Sequence, residues 1–194
     1  MNTTVAFLAQ TLAIFMGFFT RVVFTRTLSE GYVGINGLFT DILNILSLSE
    51  LGVGTAITYA LYAPIARRDI KKQQILMRMF RNFYRITAGF VLLAGLCLIP
   101  FLDILMKDRP DVNHLIIIYL LYLLNSVVSY LLIYKKTLVD AHQMNYITVM
   151  YHNGFLVLQD ILQMMVLFLT RNFILFLVIA VVCTIIGNIC MSRK

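Results

Sequence analysis

FILFLVIAVVCTIIGNICM, residues 173–191, runs nineteen positions without a charged side chain. A helix needs roughly 20 apolar residues to cross a hydrocarbon core of about 30 Å. Comparable runs recur along the 194 residues, and 13% of the chain is charged against 60% hydrophobic. A soluble domain usually carries about 25% charged residues, so that class is excluded. Backbone groups in lipid must pair inside a helix or around a closed barrel. The runs show none of the alternation of barrel strands. The sequence therefore predicts an all-α fold, a polytopic membrane helix bundle with six transmembrane helices. No linker, repeat or low-complexity tract divides it, so residues 1–194 read as a single membrane domain.

The six spans fall at about 4–24, 33–62, 83–105, 114–134, 147–170 and 173–191. The N-terminus lacks a basic start and a small-residue cleavage site, so it reads as a retained first span. Eleven Lys and Arg collect on one side: seven between 67 and 85, then Lys135, Lys136, Arg193 and Lys194. Four collect on the other: Arg26, Lys107, Arg109 and Arg171. The positive-inside rule puts both termini in the cytoplasm of a multi-pass plasma-membrane protein. The net charge of +7 is explained by this loop bias rather than by nucleic-acid binding. The 67–85 connection reads either as a topology signal or as an amphipathic surface helix drawn to anionic lipid. The loop around Asp108, Pro110 and Asp111 reads as a turn.

Ionisable groups inside spans are rare and usually face a bundle interior or a wet cavity. Arg21, Asp41, Glu50 and Asp160 are the candidates here, with His152 a weaker one near the cytoplasmic end of the fifth span. By helical rise Arg21 and Asp41 reach similar depth, so they are expected to pair across adjacent antiparallel helices and, compatibly with that, to charge a cavity wall. Glu50 follows Asp41 by nine residues, half a turn out of phase, so the two carboxylates cannot share a helix face. Gly52 and Gly54 follow Glu50 in a span of about 30 residues, longer than the hydrocarbon core requires, and mark a bend or a close-packing point. Gln159, Asp160 and Gln163 form a polar group in the fifth span, and Asn125, Ser126 and Ser129 another in the fourth. Their ordinary role is to hold helices together. Tyr119, Tyr122, Tyr130 and Tyr134 read as packing or interface residues, with stacking on a sugar as the alternative.

Catalytic and metal-binding motifs are absent, and no cofactor is implied. GYVGING, residues 31–37, opens a membrane helix and follows no strand, so it is no nucleotide loop. Cys97, Cys183 and Cys190 lie in apolar segments without a CxxC pair and read as small apolar fillers. Cys183 and Cys190, seven apart on one helix, cannot form a disulfide with each other.

The block FFTRVVFTRTLSEGYVGINGLFTDILNILSLSELGVGTAITYALYAPIARRD, with MRMFRNFYRI, SYLLIYKKTLVDAHQMNYI and TIIGNICMSRK further along, resembles bacterial oligosaccharide flippases. These are the Wzx-type polysaccharide transporters of the multidrug/oligosaccharidyl-lipid/polysaccharide superfamily. The resemblance implies movement of an undecaprenyl-diphosphate-linked oligosaccharide across the bacterial cell membrane. It implies two six-helix lobes around a cationic cavity with alternating access, of which this chain matches the N-terminal lobe. A second lobe or a second copy is then required to enclose the cavity. By that resemblance Arg21 helps hold the diphosphate or sugar, while Asp41 and Glu50 tune the cavity or couple it to a cation gradient. A cation-coupled multidrug exporter lobe, or a membrane subunit without transport activity, are the alternatives.

Overall fold

In the computed structural model, residues 2–47, 53–102, 106, 112, 114–142 and 145–192 are described. They form helices α1 (Asn2–Thr27), α2 (Glu30–Ser47), α3 (Val53–Ala66), α4 (Ile70–Leu98), α5 (Leu115–Ala141), α6 (Asn145–Thr170) and α7 (Phe173–Ser192). No strand occurs among the described residues. Four segments are long and apolar enough to cross a membrane: Phe7–Thr27, Ile70–Phe101, Tyr146–Thr170 and Phe173–Cys190. They coincide with the first, third, fifth and sixth expected spans. The fourth expected span lies in α5, whose apolar part is Leu115–Leu131.

The second expected span is different. Two helices are described where one was expected, and neither reaches membrane-spanning standard by itself. α3 has 14 residues, and α2 carries Glu30 and Asp41 among its 18. Residues 48–52 lie outside the described residues, and with them Glu50 and Gly52.

The third span also begins earlier than expected. α4 starts at Ile70, where Asp69 caps it by accepting a hydrogen bond from the Lys72 amide at 3.0 Å. It then runs 29 residues, about 43 Å, through the whole basic stretch and into the apolar one. The preceding turn is closed by Arg68 in the left-handed region, φ 54°. Its amide bonds to the Ile65 carbonyl while the Asp69 amide bonds to that of Pro64, the two reversed bonds of a Schellman ending.

The far end of α4 shows one local cause and one tertiary consequence. Pro100 has no N–H to offer Leu96, so the Ile99 amide bonds the Leu96 carbonyl and the helix tightens into a 3-10 turn at Ile99–Phe101. The Gly95 carbonyl instead accepts the buried Tyr119 hydroxyl of α5 at 2.8 Å. Gly95 also permits that approach, because a Cβ there would overlap the Leu123 side chain.

α5 is the centre of the bundle, packing on α7, α4, α3, α6 and α2. Ile118, Tyr119, Leu123, Tyr130, Thr137 and Ala141 are buried along it. α1 packs along its length on α6 and barely touches α2. Phe24, Tyr32, Tyr122, Phe173 and Phe176 form an aromatic cluster that ties α1, α2, α5 and α7 at one end. Cys97, Cys183 and Cys190 are all free.

Candidate functional site

Register places the site. Gln10 of α1 accepts a hydrogen bond from Asn153 of α6 at 2.8 Å, an offset of 143 residues. Asp160 Oδ2 lies 3.9 Å from where a Cβ on Gly17 would stand, which repeats that offset. α1 and α6 therefore run parallel. α7 runs antiparallel to α6: Gln163 donates to the Phe176 carbonyl at 3.0 Å, and Gly187 faces Phe155. α2 lies against α5, with Tyr122 donating to Asn36 Oδ1 and Phe39 edge-on to Tyr119.

These pairings leave a cavity of about 290 Å³ between α1, α2, α5, α6 and α7. Arg21, Thr20 and Gly17 line it from α1, Asn36 from α2, Tyr122 and Asn125 from α5, and Gln159, Asp160 and Gln163 from α6. Phe24, Leu121, Phe176, Leu177 and Ala180 complete the wall. One cation, one carboxylate, four amides and two hydroxyls thus converge inside an apolar bundle. The volume stands at the lower edge of ligand-sized pockets, which begin at about 300 Å³.

The polar groups divide by role. Gln163 is buried and its amide is used on the Phe176 carbonyl, so it joins α6 to α7 as expected of a polar residue between helices. Asn36 and Tyr122 are engaged with each other. Asn125 keeps a buried Oδ1 with no hydrogen-bond partner. A buried acceptor left unmatched costs about 1–3 kcal/mol, so it favours a bound group that carries a donor. Thr20 places its hydroxyl beside the Asp160 carboxylate. Arg21 brings a guanidinium, a fork of donors suited to phosphate oxygens.

Two of the four candidate residues, Arg21 and Asp160, therefore meet in one cavity. Asp41 does not: it is exposed on α2 and lines no part of this wall. The expectation that Arg21 pairs with Asp41 is corrected here, since no ion pair joins them. The reason is the packing of α1, which takes α6 rather than α2 as its neighbour along its length. Glu50 lies outside the described residues. His152 is exposed on α6 and away from the cavity.

Sequence reasoning missed Gly17, Thr20 and Asn36 as wall residues. Gly17 stands four residues before Arg21 and three before Thr20, so helical spacing from the charge reaches Gly17 and from it Thr20. Asn36 carried no such signal, because its place depends on α2 crossing α5. Among the described residues no group of three His, Cys, Asp or Glu side chains is placed to hold a metal ion. No family model, no curated protein and no solved structure matches this chain.

Proposed function

We propose that this chain is one lobe of a flippase that moves an undecaprenyl-diphosphate-linked oligosaccharide across the bacterial cell membrane. The cavity carries this reading. A charged and amide-lined hollow in an apolar bundle needs a polar cargo, because each uncompensated polar group in hydrocarbon is costly. In this reading Arg21 binds the diphosphate through charge-assisted hydrogen bonds. Asn125, Gln159 and Asp160 accept hydrogen bonds from sugar hydroxyls. Asp41, exposed on α2, faces the second lobe or second copy that closes the cavity, and Glu50 couples transport to a cation. Both termini are cytoplasmic, with the basic end of α4 on that side.

The cavity volume suits one sugar or one diphosphate at a time rather than a whole oligosaccharide. The single lobe thus contributes a subsite, and alternating access requires its partner. The direct test is retention of an undecaprenyl-diphosphate-linked sugar by the purified chain in detergent, read by native mass spectrometry. Wild type should hold it, and Arg21→Ala should hold at least roughly tenfold less, the loss of one charge-assisted contact pair. Equal retention by both proteins refutes the assignment of Arg21. Retention of apolar cations in place of the lipid-linked sugar would favour the drug-exporter alternative.

A further inference from the structure

The basic half of α4 has an arrangement that goes beyond the count of charges that sets topology. Between residues 67 and 85 stand Arg67, Arg68, Lys71, Lys72, Arg78, Arg81 and Arg85, with Asp69 as the sole acid. Asp69 is occupied as the α4 cap. No ion pair neutralises any of the seven among the described residues, and Arg81 keeps a buried Nε without a partner. Lys71, Arg78 and Arg85 are exposed and recur every seven residues, so they form one stripe along the helix. Beside it, about 80° round the helix, runs a second stripe: Ile75, Met79 and Ile86, exposed at 66%, 57% and 72%. Apolar side chains this exposed, adjacent to unpaired cations, match a surface that is apolar at one depth and anionic at the next.

Helix continuity fixes where that surface is. α4 passes without a break from this ridge into its apolar half, so the ridge begins at the membrane surface where that half enters the bilayer. The three cations span about 21 Å along the axis, more than the headgroup layer of an upright helix, so α4 must tilt to place all three. We propose that the Lys71–Arg78–Arg85 stripe binds the phosphates of anionic phospholipids in the leaflet at the basic end of α4, with Ile75, Met79 and Ile86 against their acyl chains. Each base near an anionic surface adds to the attraction, so the stripe selects anionic over zwitterionic lipid.

The test uses the full-length chain purified in mild detergent, where membrane orientation plays no part. Phosphatidylglycerol and phosphatidylcholine are titrated in turn, and bound lipid is counted by native mass spectrometry. Wild type should prefer phosphatidylglycerol, and Lys71→Gln/Arg78→Gln/Arg85→Gln should lose that preference by at least roughly tenfold. A variant of equal charge loss elsewhere, Arg26→Gln/Lys136→Gln/Arg171→Gln, should keep it. Circular dichroism on each variant confirms retained helix, and Ile75→Ser/Met79→Ser supplies a second route should the triple variant fail to fold: it should weaken phosphatidylglycerol binding while leaving the charge intact. Equal loss in both triple variants would reduce the effect to net charge and overturn the stripe. Competition by inorganic phosphate at the lipid's own concentration would overturn the lipid and leave only an anion site.

Discussion

Arg21 is a cation in an apolar helix; insertion scales put an arginine at about 2.5–3.5 kcal/mol at the centre of a span and less toward its end, where Arg21 stands. Its compensation in this bundle is the cavity it shares with Asp160 and the amides, not the partner that chain proximity suggested. That difference shows what the residue scale could reveal. The identity of the charged groups was legible, because charge inside an apolar run is visible in any sequence. Their pairing was not, since Arg21 and Asp41 meet only if α1 packs on α2. Gly17 gives the sharpest prediction here. Its missing Cβ faces Asp160 at an ordinary 3.9 Å, so Gly17→Ala should leave folding and ligand retention unchanged. Gly17→Leu should fill part of the 290 Å³ hollow and abolish ligand retention while the helix content by circular dichroism stays intact. Unimpaired retention by Gly17→Leu would place the cargo elsewhere.

At the scale of the element, α4 departs furthest from expectation. Loop and span were read as separate because seven bases interrupt the apolar pattern up to Arg85. The backbone ignores that boundary: Lys and Arg are good helix formers, Asp69 caps the start, and no Gly or Pro intervenes before Gly89. Hydropathy locates the membrane along a helix and not the ends of the helix. Spin labels placed singly from residue 70 to 98 should therefore show one unbroken accessibility period of about 3.6 residues through Arg85. A loss or phase jump of that period near residue 83 would restore the separate-span description. The other end of α4 makes a second claim. Tyr119→Phe should cost about 0.5–1.5 kcal/mol in chemical or thermal unfolding, because it takes the donor from a Gly95 carbonyl that Pro100 has displaced from the helix ladder. An unchanged unfolding midpoint would mean that the Gly95 carbonyl finds its donor within the helix. Neither the Pro100 effect nor its answer in Tyr119 was legible, as Tyr119 and the Gly95 carbonyl it reaches lie on different elements 24 residues apart.

For the whole molecule, composition carried the class: the described residues are helical, and four helices among them are long and apolar enough to cross a membrane, where six spans were expected. The arrangement of those helices came from packing. α5 gathers the bundle around its buried Tyr119 and Leu123, and α1 stands at the margin against α6. The polar hollow lies where α1, α2, α5, α6 and α7 meet, and the proposed cargo enters there. That account rests most directly on transport by the assembled pair of lobes. The decisive measurement is surface polysaccharide in a flippase-deficient strain that expresses this chain together with a second lobe, with membrane levels of each variant matched by immunoblot. The account predicts that wild type restores the polysaccharide and that Arg21→Ala and Asp160→Asn each lose most of it. Restoration by both variants at the wild-type level, or by none of the three proteins despite matched insertion, would contradict it.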